Sequence, residues 1–267
     1  MSCLDEIRTK TGSLLDRQPS DAAVVRGIWR IDCLFQPDVH ERLFKYVFII
    51  AQTVRQGAAY TFCEECDREQ LVRMVGRDYR EISFSDPAVE IAILDSIWAS
   101  HIRPPTAAFS LCGHTAIKAK ERAVIVAAEA VRLGSGLGRK IRVAQVGVVG
   151  HIVAELTRLG CEVVPVDLDP LIVGTAVHGA VVRDGCESPL IVADADVALI
   201  TGMTLSNGTL DRLLQAGHDA GTKLLIFAES GSSFAEFYIS MGVDAVVSEP
   251  VPFYIFQGTT SIGVYRR

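Results

Sequence analysis

Gly147 and Gly150, with Asp167 twenty residues beyond Gly147, have the types and spacing with which a chain can hold a nucleoside-type ligand. The run Ile141-Arg-Val-Ala-Gln-Val-Gly147-Val-Val-Gly150-His151 reads as a strand, a glycine turn and a helix start, and Cys161-Glu-Val-Val-Pro-Val-Asp167 as a second strand ending on an acid. A glycine without Cβ admits close backbone approach, and a helix start offers unpaired N–H groups and the positive end of its dipole. An acid at this spacing can accept the protons of ribose hydroxyls. Against the dinucleotide pattern G-x-G-x-x-G, Gly147 and Gly150 take the second and third places while Gln145 replaces the first. That substitution weakens an NAD or FAD reading and leaves a small-molecule site standing.

Two further strand ends carry polar groups. Thr201-Gly202-Met203-Thr204-Leu205-Ser206-Asn207-Gly208-Thr209-Leu210 follows one apolar strand, and Glu229-Ser230-Gly231-Ser232-Ser233 follows another. Ligands in open parallel sheets bind beyond the carboxyl ends of the strands, so these loops are expected to converge on one pocket. The expected binding residues are Gly147, Gly150, Asp167, Thr201, Gly202, Thr204, Asn207, Thr209 and Ser230. Glu229 and His151 are the expected acid–base groups, with Tyr60 a contributor from the first part of the chain. Asn207, Thr209 and Ser232 are equally suited to capping the helices that follow, and one helix end can serve both purposes.

The elements that must position these groups fall into two parts. Residues 1–104 mix helix and strand. Leu4, Ile7, Leu14 and Leu15 have near-helical spacing behind a capping box at Ser2 and Asp5. Val25, Gly27, Trp29, Ile31, Cys33 and Phe35 form the buried face of an alternating strand, with two more strands near Leu43–Val54 and Gly57–Cys63. Asp86-Pro87 starts a helix, and Arg103-Pro104-Pro105-Thr106 is the expected boundary. Residues 105–267 alternate helix and strand: a helix over Thr115–Leu133, then strands at Ile141, Cys161, Val197, Leu224, Ala245 and Ser261, the pattern of a parallel sheet. Pro165 suggests an edge position for the second of these.

Composition narrows the function classes. With 49% hydrophobic residues in 267 positions the chain can build a sizeable core. A net charge of -6 without a basic block argues against nucleic acid as a partner. The first residues lack an apolar signal core, and runs such as Tyr46–Ala51 are too short for a bilayer. Seven cysteines without small-domain spacing suit a reducing compartment, so a soluble cytoplasmic protein is expected. Cys63-Glu-Glu-Cys66 and Cys112-Gly-His114 have the residue types of a zinc set. Their wide, irregular spacing favours ordinary thiols, so no residue is assigned to a metal. His40, His101 and His218 stand outside any constellation, and Glu65, with Tyr60 beside the Gly57 segment, is a further contributor expected from the first part of the chain.

The segment Thr201-Gly202 with Leu205-Ser206-Asn207-Gly208-Thr209-Leu210 resembles the signature of the putative heavy-metal chelation family. Gly57-Ala-Ala-Tyr60-Thr61, the turn at Gly147 and Gly150, and Met241-Gly-Val-Asp244 fit the same resemblance in order. It implies an enolase N-terminal-like domain (1–104), a Rossmann-like domain (105–267), a site in the cleft between them and a homo-oligomer, a homodimer in the simplest case. Two departures stand out. Ala228-Glu229-Ser230 replaces the Gly-Pro-Ser that the family tends to show, and Ser110-Leu-Cys112-Gly-His114 replaces its usual helix opening. The residues and the resemblance together lead to three expectations. The first is an enzyme that binds an adenosine-containing ligand, S-adenosylmethionine foremost, and carries out alkyl transfer or cyclisation by displacement at the sulfonium-bound carbon. The second is a heavy-metal or metallo-ligand binding protein. The third, a nicotinamide oxidoreductase, suffers from Gln145.

Overall fold

The computed structural model describes residues 1–19, 21–36, 44–63 and 68–267. Ser2 starts the first helix, α1 (Cys3–Leu15). Its hydroxyl accepts from the Asp5 N–H while the Asp5 carboxylate accepts from the Ser2 N–H, so two donors at the helix start are satisfied. An antiparallel meander follows, made of β1 (Gly27–Phe35), β2 (Phe44–Gln52) and β3 (Gln56–Tyr60). Next come α2 (Arg68–Met74) and α3 (Pro87–Trp98). Asp86 caps α3 through the Ala88 N–H, and Pro87 occupies the first turn, where its missing donor costs nothing. Helix α3 lies so close to β3 that a Cβ on Gly57 would stand 2.1 Å from the Ser96 nitrogen, so only glycine fits there.

The rest of the chain runs β4 (Ala107–Leu111), α4 (Thr115–Leu133), β5 (Arg142–Val146), α5 (Gly150–Arg158) and β6 (Glu162–Asp167). A small hairpin of β7 (Ala176–Val177) and β8 (Ala180–Val181) leads to β9 (Arg183–Asp184) and α6 (Ser188–Ala193). Then follow β10 (Val197–Thr201), α7 (Met203–Ser206), α8 (Leu210–Ala220), β11 (Lys223–Ala228), α9 (Ala235–Ser240), β12 (Ala245–Ser248) and β13 (Thr260–Arg266). An eight-stranded sheet results, in the order β4-β13-β12-β11-β10-β5-β6-β9. From β12 to β9 the neighbours are parallel, while β13 is antiparallel to both β12 and β4. The order reverses between β5 and β10: the chain runs outward from β5 to β9, then returns to β10 and runs outward the other way. A crevice opens beyond the carboxyl ends at such a reversal.

Both faces of this sheet are covered, which is why every residue of β10 is buried. On one face Val143, Leu199 and Leu225 pack with Ala123 and Val126 of α4 and Ile152 and Leu156 of α5. On the other, Ala144, Ile200 and Ile226 share one cluster with Leu213 of α8, Ile7 of α1 and Ile91 of α3, so the first hundred residues and the sheet have a common core. A third cluster joins Phe48, Ile50, Ala58 and Tyr60 of the meander to Ala119 of α4 and to Phe253 and Tyr254.

Most elements stand where the sequence puts them, with informative exceptions. β4 was not expected. Only Leu111 in it is buried, so neither alternation nor an apolar run marks it. β13, antiparallel to both β12 and β4, makes the sheet mixed rather than purely parallel. Trp29, expected on a buried face, is 44% exposed, with its ring folded back over Gly27. The edge position suggested by Pro165 is not found, because β6 lies between β5 and the edge strand β9; the Val166 carbonyl turns toward β5 and accepts from the Gly147 N–H, so Pro165 faces the β9 side. Pairing with β9 begins only at Val166, and no ladder bond is lost.

Candidate functional site

The carboxyl ends of β5, β6, β10 and β11 open into a cavity of about 540 Å³, with Tyr46 and Tyr60 of the meander in its wall. That volume falls within the roughly 300–1,000 Å³ usual for small-molecule sites. Gly147, Asp167, Thr201, Gly202, Glu229 and Ser230 all line it, and so does Tyr60. The expected residues therefore meet from both parts of the chain. They form two halves of different construction.

The Asp167 half is built from local backbone bonds. Gly147 has φ 85°, a left-handed conformation, and a Cβ there would lie 2.2 Å from the Thr201 Oγ1, so glycine is required twice over. Asp167 stitches the turn: Oδ2 accepts from the Val148 N–H at 2.8 Å and Oδ1 from the Asp169 N–H at 3.0 Å. The buried Thr201 hydroxyl has no hydrogen-bond partner among the described residues. A smaller cleft of about 60 Å³ shares Gly147, Asp167 and Thr201 and adds Thr204, Asn207 and Thr209. There the Asn207 Oδ1 accepts from the Thr209 N–H at 3.1 Å and from its hydroxyl at 2.7 Å, while the Thr204 hydroxyl donates to the Thr201 carbonyl at 2.8 Å. Asn207 thus organises the loop, and Thr204 is committed to its own backbone. Gly150 and His151 form the first turn of α5 and are not among the residues that line either cleft. Ser232 does not cap a helix: it opens a short 3₁₀ turn, and its hydroxyl lies 3.5 Å from Asp95 Oδ2.

The Glu229 half is built from side chains brought in from afar. The Ser230 hydroxyl accepts from the Tyr60 N–H at 2.9 Å, and the Gly231 N–H donates to the Ala58 carbonyl at 3.1 Å. Behind them the Asp95 carboxylate accepts from the Ala58 N–H at 2.9 Å and the Ser233 N–H at 2.7 Å. These bonds pin β3 to the end of β11, and the Tyr60 hydroxyl then donates to Glu229 Oε2 at 3.1 Å. From α4, one Arg122 nitrogen, Nη1, donates to Glu229 Oε1 at 2.7 Å and to Glu249 Oε2 at 3.1 Å. The guanidinium lies 3.5 Å from the centre of the Tyr254 ring, and Glu249 Oε1 accepts from the Tyr254 N–H at 2.8 Å. One turn earlier on α4, buried Lys118 donates through Nζ to the carbonyls of Phe256 at 2.6 Å and Gly258 at 3.0 Å. Helix α4 thereby fastens the 249–260 segment against the cavity.

Burial sets the electrostatics of this half. It lifts the Glu249 carboxyl to about 7, with Arg122 opposing and Glu229 reinforcing the shift. Burial and then the Glu229 carboxylate push the Tyr60 phenol well above its ordinary value, so Tyr60 is a standing hydrogen-bond donor rather than a base. Burial also lifts the Asp95 carboxyl to about 6 against the backbone N–H groups that favour its ionised form. Sequence reading missed Arg122, Glu249, Tyr254, Lys118 and Asp95. One signal was present. Lys118 and Arg122 stand one turn apart on the face of α4 that carries Ala119, Ala123, Val126 and Ala130, and charges on a buried face need partners.

The candidate metal residues that are described do not assemble. Cys63 is exposed, and Cys112 lies 3.7 Å from the Thr259 Oγ1. His40, Glu65 and Cys66 fall outside the described residues. Among the described residues no three His, Cys, Asp or Glu side chains are grouped to hold a metal ion, and no helix is long and apolar enough to cross a membrane.

Comparison with known proteins adds a family. No curated protein matches the chain. The fold is similar to a DUF364-family protein of unknown function from Desulfitobacterium hafniense DCB-2, with a TM-score of 0.59 and 13% identity over 97% of this chain and 99% of that one. It is also similar to a DUF364-family protein of unknown function from Pyrococcus horikoshii, with a TM-score of 0.53 and 13% identity over 92% of this chain and 87% of that one. At these identities the likeness speaks for the fold alone. The DUF364 family model, described as putative heavy-metal chelation, matches residues 129–246. Residues 129–246 thus match that family's model, and the chain as a whole has a fold similar to that of the family's solved members.

Proposed function

We propose that the protein is an enzyme that binds an adenosine-containing ligand, S-adenosylmethionine before others, and promotes attack of a nucleophile on the sulfonium-bound carbon with release of the thioether, by alkyl transfer or cyclisation. In this reading the sheet from β5 to β12 is a Rossmann-like unit, residues 1–104 are an enolase N-terminal-like unit, and the cavity is the cleft between them. One observation carries the reading: the glycine turn with Asp167 and the Tyr60–Glu229 pair face the same cavity. A carboxylate has about four acceptor sites, so the two backbone bonds to Asp167 leave room for two ribose hydroxyls. The sulfonium supplies an activated carbon and a neutral thioether leaving group. Glu229 takes the proton from the attacking group, Tyr60 holds one of its oxygens by a hydrogen bond, and Arg122 fixes the other. Gly150, Thr204, Asn207 and Thr209 act by shaping the loops.

A thermal-shift screen against S-adenosylmethionine, S-adenosylhomocysteine, methylthioadenosine and NAD tests this. Stabilisation by the adenosyl compounds and none by NAD is expected, and no response to any adenosyl compound overturns the reading. The second reading is a heavy-metal or metallo-ligand binding protein, suggested by the description of the family model that matches residues 129–246. Stoichiometric metal in protein purified without a polyhistidine tag would favour it. A cytoplasmic homo-oligomer remains the expected state, and light scattering measures its size.

A further inference from the structure

Among the described residues the charges lining the cavity do not cancel. Asp167, Asp169 and Glu229 stand there with two cationic side chains, Lys45 and Arg122. Arg122 is shared besides with Glu249, which is 0% exposed and bonded to the same guanidinium nitrogen as Glu229. The carboxylates therefore exceed the cations in a space partly closed to water, where an unbalanced charge is felt more strongly than at a surface. The wall beside Glu229 is aromatic: the Arg122 guanidinium already lies over Tyr254 and Phe227, and the Tyr60 ring adds a further face of the kind that attracts cations. Beside Phe227, on the neighbouring strand, the Thr201 hydroxyl is more than nine-tenths buried, lines the same cavity and has no hydrogen-bond partner among the described residues.

We propose that the cavity selects its ligand by positive charge, taking an organic cation of the sulfonium or ammonium type seated against the Glu229 carboxylate. The position of any nucleoside part rests on the function proposed above, whereas the charge preference does not. The surroundings of Glu249 give the proposal a pH signature. That carboxyl faces Arg122 from α4, Glu229 from the end of β11 and Tyr254 from its own segment, with Tyr60 of β3 beyond Glu229. A bound cation favours ionised Glu249, so affinity for a cation rises with pH through about 7. Affinity for a neutral ligand does not.

Calorimetric titration with four probes at pH 8 tests the proposal: S-adenosylmethionine, its neutral-sulfur counterpart S-adenosylhomocysteine, methylthioadenosine, and S-methylmethionine, which carries a sulfonium but no nucleoside. S-adenosylmethionine is expected to bind at least tenfold more tightly than S-adenosylhomocysteine. Glu229→Gln, which keeps groups able to bond Tyr60 and Arg122, should abolish that ratio and leave methylthioadenosine unaffected. Equal affinity for the sulfonium and the thioether overturns the charge proposal and leaves the nucleoside reading intact. Binding of S-methylmethionine without any adenosyl compound upholds the charge proposal and overturns the nucleoside reading. No binding by any probe, or displacement of the sulfonium by stoichiometric nickel or zinc, overturns the organic-cation assignment. The wild-type ratio decides the matter if Glu229→Gln does not fold.

Discussion

The two halves of the cavity reach similar polarity by opposite means. The Asp167 half is made within short stretches of chain: a glycine turn, an acid that accepts two nearby backbone N–H groups, and an asparagine turned onto the residue two positions on. The Glu229 half draws Tyr60, Arg122, Glu249 and Tyr254 from three segments and holds them by buried ion pairs and a stacked guanidinium. Local construction makes a half that tolerates loss of one member, because each bond sits beside others of its kind. Distributed construction makes a half in which one residue leaves several partners unsatisfied.

Removing Arg122 should therefore have the largest effect. Arg122→Ala leaves Glu229 and Glu249 without their common cation, at an expected cost of roughly 3–5 kcal/mol. Urea unfolding measures it, and a loss below about 1 kcal/mol would break the contrast between the halves. Asp95, which anchors the same half, gives a pH test. Burial raises its carboxyl from 3.8 to about 6, so the folded chain holds that proton more tightly than the unfolded chain. Its contribution is complete below about pH 4 and is lost as pH climbs through about 6, and two units correspond to roughly 3 kcal/mol. Stability followed from pH 4 to 7 should show this decline in the wild type and a flatter slope in Asp95→Asn; an unchanged slope would remove Asp95 as its source.

Effects in the local half should be smaller. Asp167→Ala gives up two backbone hydrogen bonds and should cost about 1.5–3 kcal/mol in a protein that still folds, with an adenosyl ligand weakened at least about tenfold. Full ligand affinity in this variant would confine Asp167 to holding the turn. Asn207→Ala should cost about 1 kcal/mol, the worth of one capping-type interaction, in thermal or chemical unfolding. A cost as large as that of Arg122→Ala would sharpen the picture against local tolerance.

The same contrast explains what could be read from the chain. Gly147, Asp167 and the Thr201–Leu210 loop were legible because their partners lie close in sequence and strand ends of a parallel sheet share one side. Glu229 was legible only as an acid at a strand end. That Arg122 meets it across 107 positions, or Tyr60 across 169, follows from how α4 and β3 pack on the sheet, which no local pattern encodes. β4 escaped notice for a related reason, since an exposed edge strand has no burial to shape its sequence. His151 is an expected residue that the two clefts leave out. Its neighbour Gly150 suggested a ligand, yet the first turn of α5 carries it away from the residues that line the clefts.

The central claim is that one ligand spans both halves. Calorimetric titration of S-adenosylmethionine into wild type, Asp167→Ala and Glu229→Gln tests it most directly. Both variants should bind the ligand at least about tenfold more weakly than wild type, each having lost one end of the same molecule. Wild-type affinity in either folded variant would contradict the claim, because a ligand indifferent to one half does not bridge the two.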